Sequence, residues 1–143
     1  MTRLDLARQN CARLGVSCVE AQLLPHPPPT QPTPHFDNVL VDAPCSNTGV
    51  MRRRVDLRWR IRLEEIDRLR RAQLALLVNA GRQLKKRCTL VYSTCSMEPE
   101  VNSQVAQEFL GAHPGFRLED ERTLLPFVEG VDGAYVARLV RTE

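Results

Sequence analysis

Phe36-Asp37-Asn38-Val39-Leu40-Val41-Asp42, followed at once by Ala43-Pro44-Cys45, is the stretch on which the fold of this 143-residue chain turns. Val39, Leu40 and Val41 are consecutive rather than alternating with polar residues, as in a parallel strand covered on both faces. Pro44 cannot donate to a sheet ladder, so the strand must stop before it. Downstream, Ile66, Leu69, Leu76, Ala80 and Leu84 recur at helical spacing and predict one long helix over 62–84. Cys88 to Thr94 reads as a second buried strand, ending at Cys95. Pro99 suits the first turn of a further helix with Val101, Val105 and Phe109 inside and Gly111 near its end. Phe116–Leu118 and Ala134–Val140 read as two more strands. The order strand, helix, strand, helix, strand, strand indicates an α/β sheet with right-handed crossovers.

Upstream, Leu4, Ala7, Cys11 and Leu14 predict a helix over 2–14 with Gly15 as its C-terminal cap, and a short strand at Cys18–Ala21 follows. Six prolines between Pro25 and Pro34 impose an extended loop, read here as a connector.

A chain of this length with 43% hydrophobic residues fills one core, so a single domain or a large piece of one is expected. Apolar runs stay far below the roughly 20 residues that cross a bilayer, and Thr2-Arg3-Leu4-Asp5 has no signal-peptide core, which points to the cytoplasm. The five cysteines are an odd number without a C-x-x-C pair, so reduced thiols are expected and no metal. Residues 51–71 hold nine arginines against four carboxylates, more positive charge than the +3 of the whole chain. Within that stretch Glu64 with Arg68 and Asp67 with Arg71 have i,i+4 spacing. Arg52, Arg53, Arg54, Arg58 and Arg60 have few acidic neighbours in sequence and are the candidate RNA-contacting residues.

In open α/β sheets the ligand lies beyond the carboxyl ends of the strands. Asp42, Pro44 and Cys45 follow one strand end, and Thr94, Cys95 and Ser96 follow another, so two thiol-bearing turns share one crevice. A lone cysteine is more often a small buried hydrophobe than a nucleophile; two at strand ends shift the balance toward chemistry. A phosphatase loop needs C-x5-R, and Arg52 lies one residue too far from Cys45. A papain-like pair is weak too, because His26, His35 and His113 sit in proline-rich or turn-like segments.

Asp42-Ala43-Pro44-Cys45-Ser46-Asn47-Thr48-Gly49 resembles the DAPCSGTG motif of the RsmB/Sun (Fmu-like) family of S-adenosylmethionine-dependent RNA cytosine-5 methyltransferases. Leu90-Val91-Tyr92-Ser93-Thr94-Cys95-Ser96 matches the family's second signature, and Glu98-Pro99-Glu100-Val101-Asn102 is similar to the segment after it. Arg52-Arg53 with Asp56 and Trp59-Arg60 resembles the stretch RR-x-PD-x-x-WR, and Asp132-Gly133-Ala134-Tyr135-Val136-Ala137 the closing DGFFVA strand. The likeness spans nearly all of 36–140, and residues 2–15 resemble the helix after the family's second strand.

That resemblance implies the C-terminal part of a class I methyltransferase domain: a partial Rossmann-like sheet over 1–143, with the motif-bearing core at 36–143. It implies Cys95 as the nucleophile that adds to cytosine C6, Cys45 as the thiol of the release step, and Asp42 and Pro44 beside base and cofactor, with ribosomal RNA as the expected substrate. The family's Gly-rich cofactor loop, near APGGKT, has no counterpart among Gly15, Gly49, Gly81, Gly111, Gly115, Gly130 and Gly133. The S-adenosylmethionine site of these residues is therefore expected to be incomplete, and the strand at 36–42 to expose an edge for a missing N-terminal segment or for self-association. Asn47 stands where the motif has glycine, Val55 where it has proline, and Lys86-Arg87-Cys88 where it has a PGG turn, so the geometry of that turn is expected to differ. Two function classes follow: an RNA methyltransferase or its catalytic part, and a non-catalytic RNA-binding remnant that keeps the Arg-rich surface.

Overall fold

The computed structural model of the chain describes residues 2–23, 34–59 and 61–142. It divides into two compact units, Met1–Thr30 and Gln31–Glu143. In the first, helix α1 (Arg3–Arg13) opens on a reciprocal capping box. Thr2 Oγ1 accepts the Asp5 N–H at 3.2 Å, and the Asp5 carboxylate accepts the Thr2 N–H at 2.9 Å. Gly15, at φ +67°, follows the end of the helix in the left-handed conformation that a C-terminal glycine supplies. The strand expected at Cys18–Ala21 is not formed. A strand exists only as half of a pair, and no ladder reaches these residues from the described chain. The proline-rich loop lies, apart from Pro34, outside the described residues.

The second unit contains β1 (Phe36–Asp42), α2 (Leu63–Gln83), β2 (Leu84–Thr94), α3 (Ser103–Ala112), β3 (Phe116–Leu124), α4 (Pro126–Glu129) and β4 (Ala134–Arg141). The sheet order is β1-β2-β4-β3, with β1 parallel to β2 and β4 antiparallel to both its neighbours. This is the expected α/β architecture, with one refinement. The link from β3 to β4 is too short for a crossover helix, so β4 turns back against β3 and wedges between it and β2.

The core joins α2, α3 and the sheet through Leu77, Leu84, Leu90, Tyr92, Phe109 and Leu139, all essentially inaccessible. The inner face of α2 is Ile66, Leu69, Gln73, Leu77 and Ala80. Leu76 is therefore not on it as expected: two adjacent leucines fit the same periodicity, and packing selects Leu77. Leu84 is buried, but as the first residue of β2 rather than the last of the helix.

The turn at 86–88, where the motif has PGG, is irregular. β2 begins at Leu84, four residues before Cys88, and the pairing with β1 jumps from Phe36↔Leu84 to Asn38↔Thr89. Arg87 inside this bulge adopts φ +61°, a conformation glycine would take without strain. Among the described residues β1 is an edge strand, bonded to β2 on one side, and Leu40 in its middle is 67% exposed.

Candidate active site

Parallel pairing in the register Val41↔Tyr92 and Asp42↔Ser93 makes β1 and β2 end side by side, so the turns after them emerge together. Cys45 Sγ lies 3.0 Å from Cys95 Sγ, and the Cys95 N–H donates to Cys45 Sγ at 3.3 Å. The two thiols, fifty residues apart in sequence, form one contact pair, and both cysteines are free.

Four hydroxyl and carboxyl side chains lock the turns to each other. Ser46 Oγ and Thr48 Oγ1 donate to one oxygen of Glu98 at 2.6 and 2.8 Å. With that proton committed, Ser46 Oγ accepts from Ser96 Oγ at 2.7 Å, and Ser96 Oγ accepts the Ser46 N–H at 3.0 Å. Met97 N–H donates to Thr48 Oγ1 at 2.9 Å. The network is buried at Ser46, Thr48 and Ser96 and half-buried at Glu98, and mutually bonded polar groups of this kind add rigidity.

Backbone contacts complete the clamp. Gly49 N–H donates to the Cys95 carbonyl at 2.9 Å, and Gly133 N–H donates to the Gly49 carbonyl at 2.8 Å. A Cβ on Gly49 would fall 2.1 Å from the Gly133 oxygen, so only glycine allows this approach. Asn102, 3% exposed, brackets Cys95: its Oδ1 accepts from Thr94 Oγ1 at 2.5 Å and its Nδ2 donates to the Ser96 carbonyl at 2.9 Å. Gln73, fully buried on α2, donates through Nε2 to the Pro44 carbonyl at 2.9 Å, one residue before Cys45. Tyr92 donates its hydroxyl to the Val101 carbonyl at 2.7 Å, and burial raises its pKa.

Asn47 sits at φ 61°, in the left-handed region. The replacement of glycine by asparagine is tolerable for that reason, since asparagine is among the few residues that adopt this conformation readily. Its Nδ2 donates to the Cys45 carbonyl at 2.9 Å, and its Oδ1 accepts from Cys95 Sγ at 3.0 Å. Burial, then the hydrogen bond with Cys45, push the Cys95 thiol up to about 12, and the Asp42 charge adds to the effect. These surroundings favour the Cys95 thiol over the thiolate.

Asp42 is exposed at the last position of β1, and Pro44 is exposed in the turn after it. A cavity of about 140 Å³ opens beside Cys45, walled by Leu57, Ile61, Ile66 and Leu69. It is smaller than the roughly 300 Å³ typical of a small-molecule cleft.

The arginines are less free than their sequence neighbourhood suggests. Arg52 and Arg53 fork onto the Asp132 carboxylate at 2.6 and 3.0 Å, a partner some eighty residues away. Arg54 and Arg58 are exposed, and Arg60 lies outside the described residues. On α2, Arg68 pairs with Glu65 at i,i+3 and 2.8 Å instead of with Glu64. Trp59 stands 87% exposed beside Arg58, an aromatic surface that helical and strand periodicity could not single out. Sequence reasoning also passed over Gln73, because a buried polar side chain has no periodic signature; Glu98 and Asn102 were visible as the ends of the motif-like segment 98–102, and Asn47 as a departure from the motif, but none of them as a partner of the thiol turns.

The sequence pattern of the family described as "16S rRNA methyltransferase RsmB/F" matches residues 1–140. The chain belongs to the RsmB/F family. It is 36% identical to the ribosomal RNA small subunit methyltransferase B of Photorhabdus laumondii, covering 97% of this chain and 34% of that protein. It is 37% identical to the protein of the same name from Vibrio cholerae, covering 96% and 33%. The RsmB/F chain thus spans about a third of these relatives' length. Among solved structures it resembles NSun6 from Pyrococcus horikoshii with SFG, at 28% identity and TM-score 0.80, covering 99% of this chain and 39% of that one. It also resembles a methyltransferase homolog protein from Pyrococcus horikoshii, at 27% identity and TM-score 0.78, covering 99% and 50%. Among the described residues of this RsmB/F member, no helix is long and apolar enough to cross a membrane.

Proposed function

We propose that this chain carries the catalytic turns of an RNA cytosine-5 methyltransferase that acts on ribosomal RNA in the cytoplasm, using S-adenosylmethionine. The observation that carries the reading is the 3.0 Å contact between Cys45 and Cys95 at adjacent strand ends. Cytosine C5 is a poor nucleophile; addition of a thiolate to C6 makes C5 electron-rich enough to attack an electrophilic methyl group. Cys95 forms that C6 bond as its thiol proton passes to the neighbouring Asp42 carboxylate. After transfer the C5 proton passes to the Cys45 thiolate, the C5–H electron pair re-forms the C5–C6 double bond, and the C6–S bond breaks, returning its pair to Cys95. Cys45, in contact with Cys95, serves this release. The target base has to leave its stack to reach the pair.

Bound S-adenosylmethionine supplies the methyl group on a sulfonium. The residues present fit it on one side. Asp42 is an exposed carboxylate close enough to Cys95 to act on its thiol, and Pro44 is exposed in the following turn. The Gly-rich amide cradle is not among these residues, so we propose that the chain by itself binds the cofactor weakly. On the RNA side, Arg54 and Arg58 with exposed Trp59 combine charge with a stacking surface.

The test uses the chain joined to the N-terminal portion of a relative. Cys95→Ala abolishes methylation and covalent adduct alike, whereas Cys45→Ala lets the adduct form and persist, so that protein and RNA migrate together on a denaturing gel. An adduct persisting in Cys95→Ala overturns the assignment.

A further inference from the structure

Asn47 departs from the glycine of the motif and touches both thiol turns, yet the methylation chemistry above gives it no task. Its amide orientation is fixed by the backbone: Nδ2 must face the Cys45 carbonyl at 2.9 Å, which aims Oδ1 at Cys95 Sγ, 3.0 Å away. Cys45 Sγ is farther from the same oxygen, at 4.0 Å. Cys95 has one proton. If it goes to Asn47 Oδ1, the proton between the two sulfurs must be that of Cys45, and a directed chain results. Cys45 S–H donates to Cys95 Sγ, and Cys95 S–H donates to Asn47 Oδ1.

We infer that Asn47 is a thiol-holding residue, which keeps Cys95 protonated and aimed until a base enters. An amide oxygen accepts a hydrogen bond but is far too weak a base to remove the proton. It therefore stabilises the neutral thiol and never the thiolate. The inference deepens the reading of Cys95 as the nucleophile, and its purpose rests on that reading. The other titratable groups around Cys95 are Cys45 and Asp42 from the β1 end, Tyr92 beneath them, and Glu98, which is occupied by Ser46 and Thr48.

The experiment measures initial rates of iodoacetamide alkylation at Cys95 in the full chain, by peptide mass mapping, from neutral to mildly alkaline pH. The reagent attacks the thiolate, so the rate reports its population. Asn47→Gly suits φ 61° and removes the acceptor. Asn47→Asp keeps the size and the acceptor toward Cys95, gives up the Nδ2 bond to the Cys45 carbonyl, and places a negative charge against a developing thiolate. The expected order of rates at a given pH is Asn47→Gly, then the natural chain, then Asn47→Asp. The first step is about fivefold, the size of one net hydrogen bond. A folded Asn47→Gly chain, by near-ultraviolet circular dichroism, with the natural alkylation profile overturns the inference; so does Asn47→Asp reacting faster than the natural chain. Neither rate involves RNA or cofactor. Continued methylation by Cys95→Ala in the assembled enzyme would sink the nucleophile assignment while leaving this result standing.

Discussion

At the scale of single residues the site is governed by what surrounds each thiol. Cys95 is raised to about 12 in the folded chain against about 8.5 for a free cysteine. The sign of the linkage follows. The folded state prefers the protonated form, so this stability is fully present below about 8.5 and is lost as pH rises toward 12. Thermal unfolding followed over that alkaline window is expected to show a steeper decline for the natural chain than for Cys95→Ala. Parallel curves for the two would show that Cys95 contributes no such linkage. Gly49 makes a second residue-level case. A methyl there meets the Gly133 carbonyl well inside contact distance, and overpacking of this kind costs about 1–3 kcal/mol. Gly49→Ala should therefore lower the denaturant midpoint and loosen the Cys45 turn. An unchanged midpoint would mean that the approach of Gly49 to Gly133 is dispensable.

Among the elements, β1 behaves differently from its neighbours. It is bonded on one side, carries Val39, Leu40 and Val41, and has neither proline nor lysine inside it to discourage pairing. The isolated chain is expected to self-associate through this strand, and Leu40→Lys to reduce that association. Sedimentation finding a monomer, with 36–42 protected from hydrogen exchange, would refute the exposed-edge picture. Helix α2 makes the opposite kind of contribution. Its buried Gln73 reaches the Pro44 carbonyl, and its Oε1 has no partner among the described residues, so the side chain is kept at a desolvation penalty. A turn held at that penalty is expected to loosen in Gln73→Leu. Faster alkylation of Cys45 with little loss of global stability is the outcome expected from peptide mapping.

For the molecule as a whole, the relevant comparison is with relatives about three times its length. Each charge-assisted hydrogen bond to a cofactor contributes about 1.5–3 kcal/mol, so lacking the several that a Gly-rich cradle supplies should put S-adenosylmethionine affinity beyond the micromolar range. Calorimetric titration of the isolated chain checks this, and micromolar binding would reject it. RNA binding depends on the other surface. Arg54→Ala and Arg58→Ala should each weaken binding evenly across sequences and reduce the salt slope by about one, as a lost phosphate contact does. Arg52→Ala should do less, because Asp132 already holds that guanidinium.

The linear sequence by itself determined the elements whose signal is local. The apolar run at 36–42 is β1 to the residue, the 62–84 periodicity is α2 within a residue at each end, and Gly15 caps α1 in the conformation that glycine alone adopts freely. The two motif-bearing turns were legible as well, since Cys45 and Cys95 each follow a strand that can be recognised from its own residues. Partnership across the fold was not legible. Choosing Leu77 over Leu76, pairing Arg52 and Arg53 with Asp132, and assigning Asn102 and Gln73 to the two thiol turns all depend on which segments meet in space. The absence of a strand at Cys18–Ala21 has the same origin, because a ladder needs a second chain segment that local propensity cannot supply. Periodicity records which side of an element is apolar; tertiary packing decides what that side, and each buried polar atom on it, will touch.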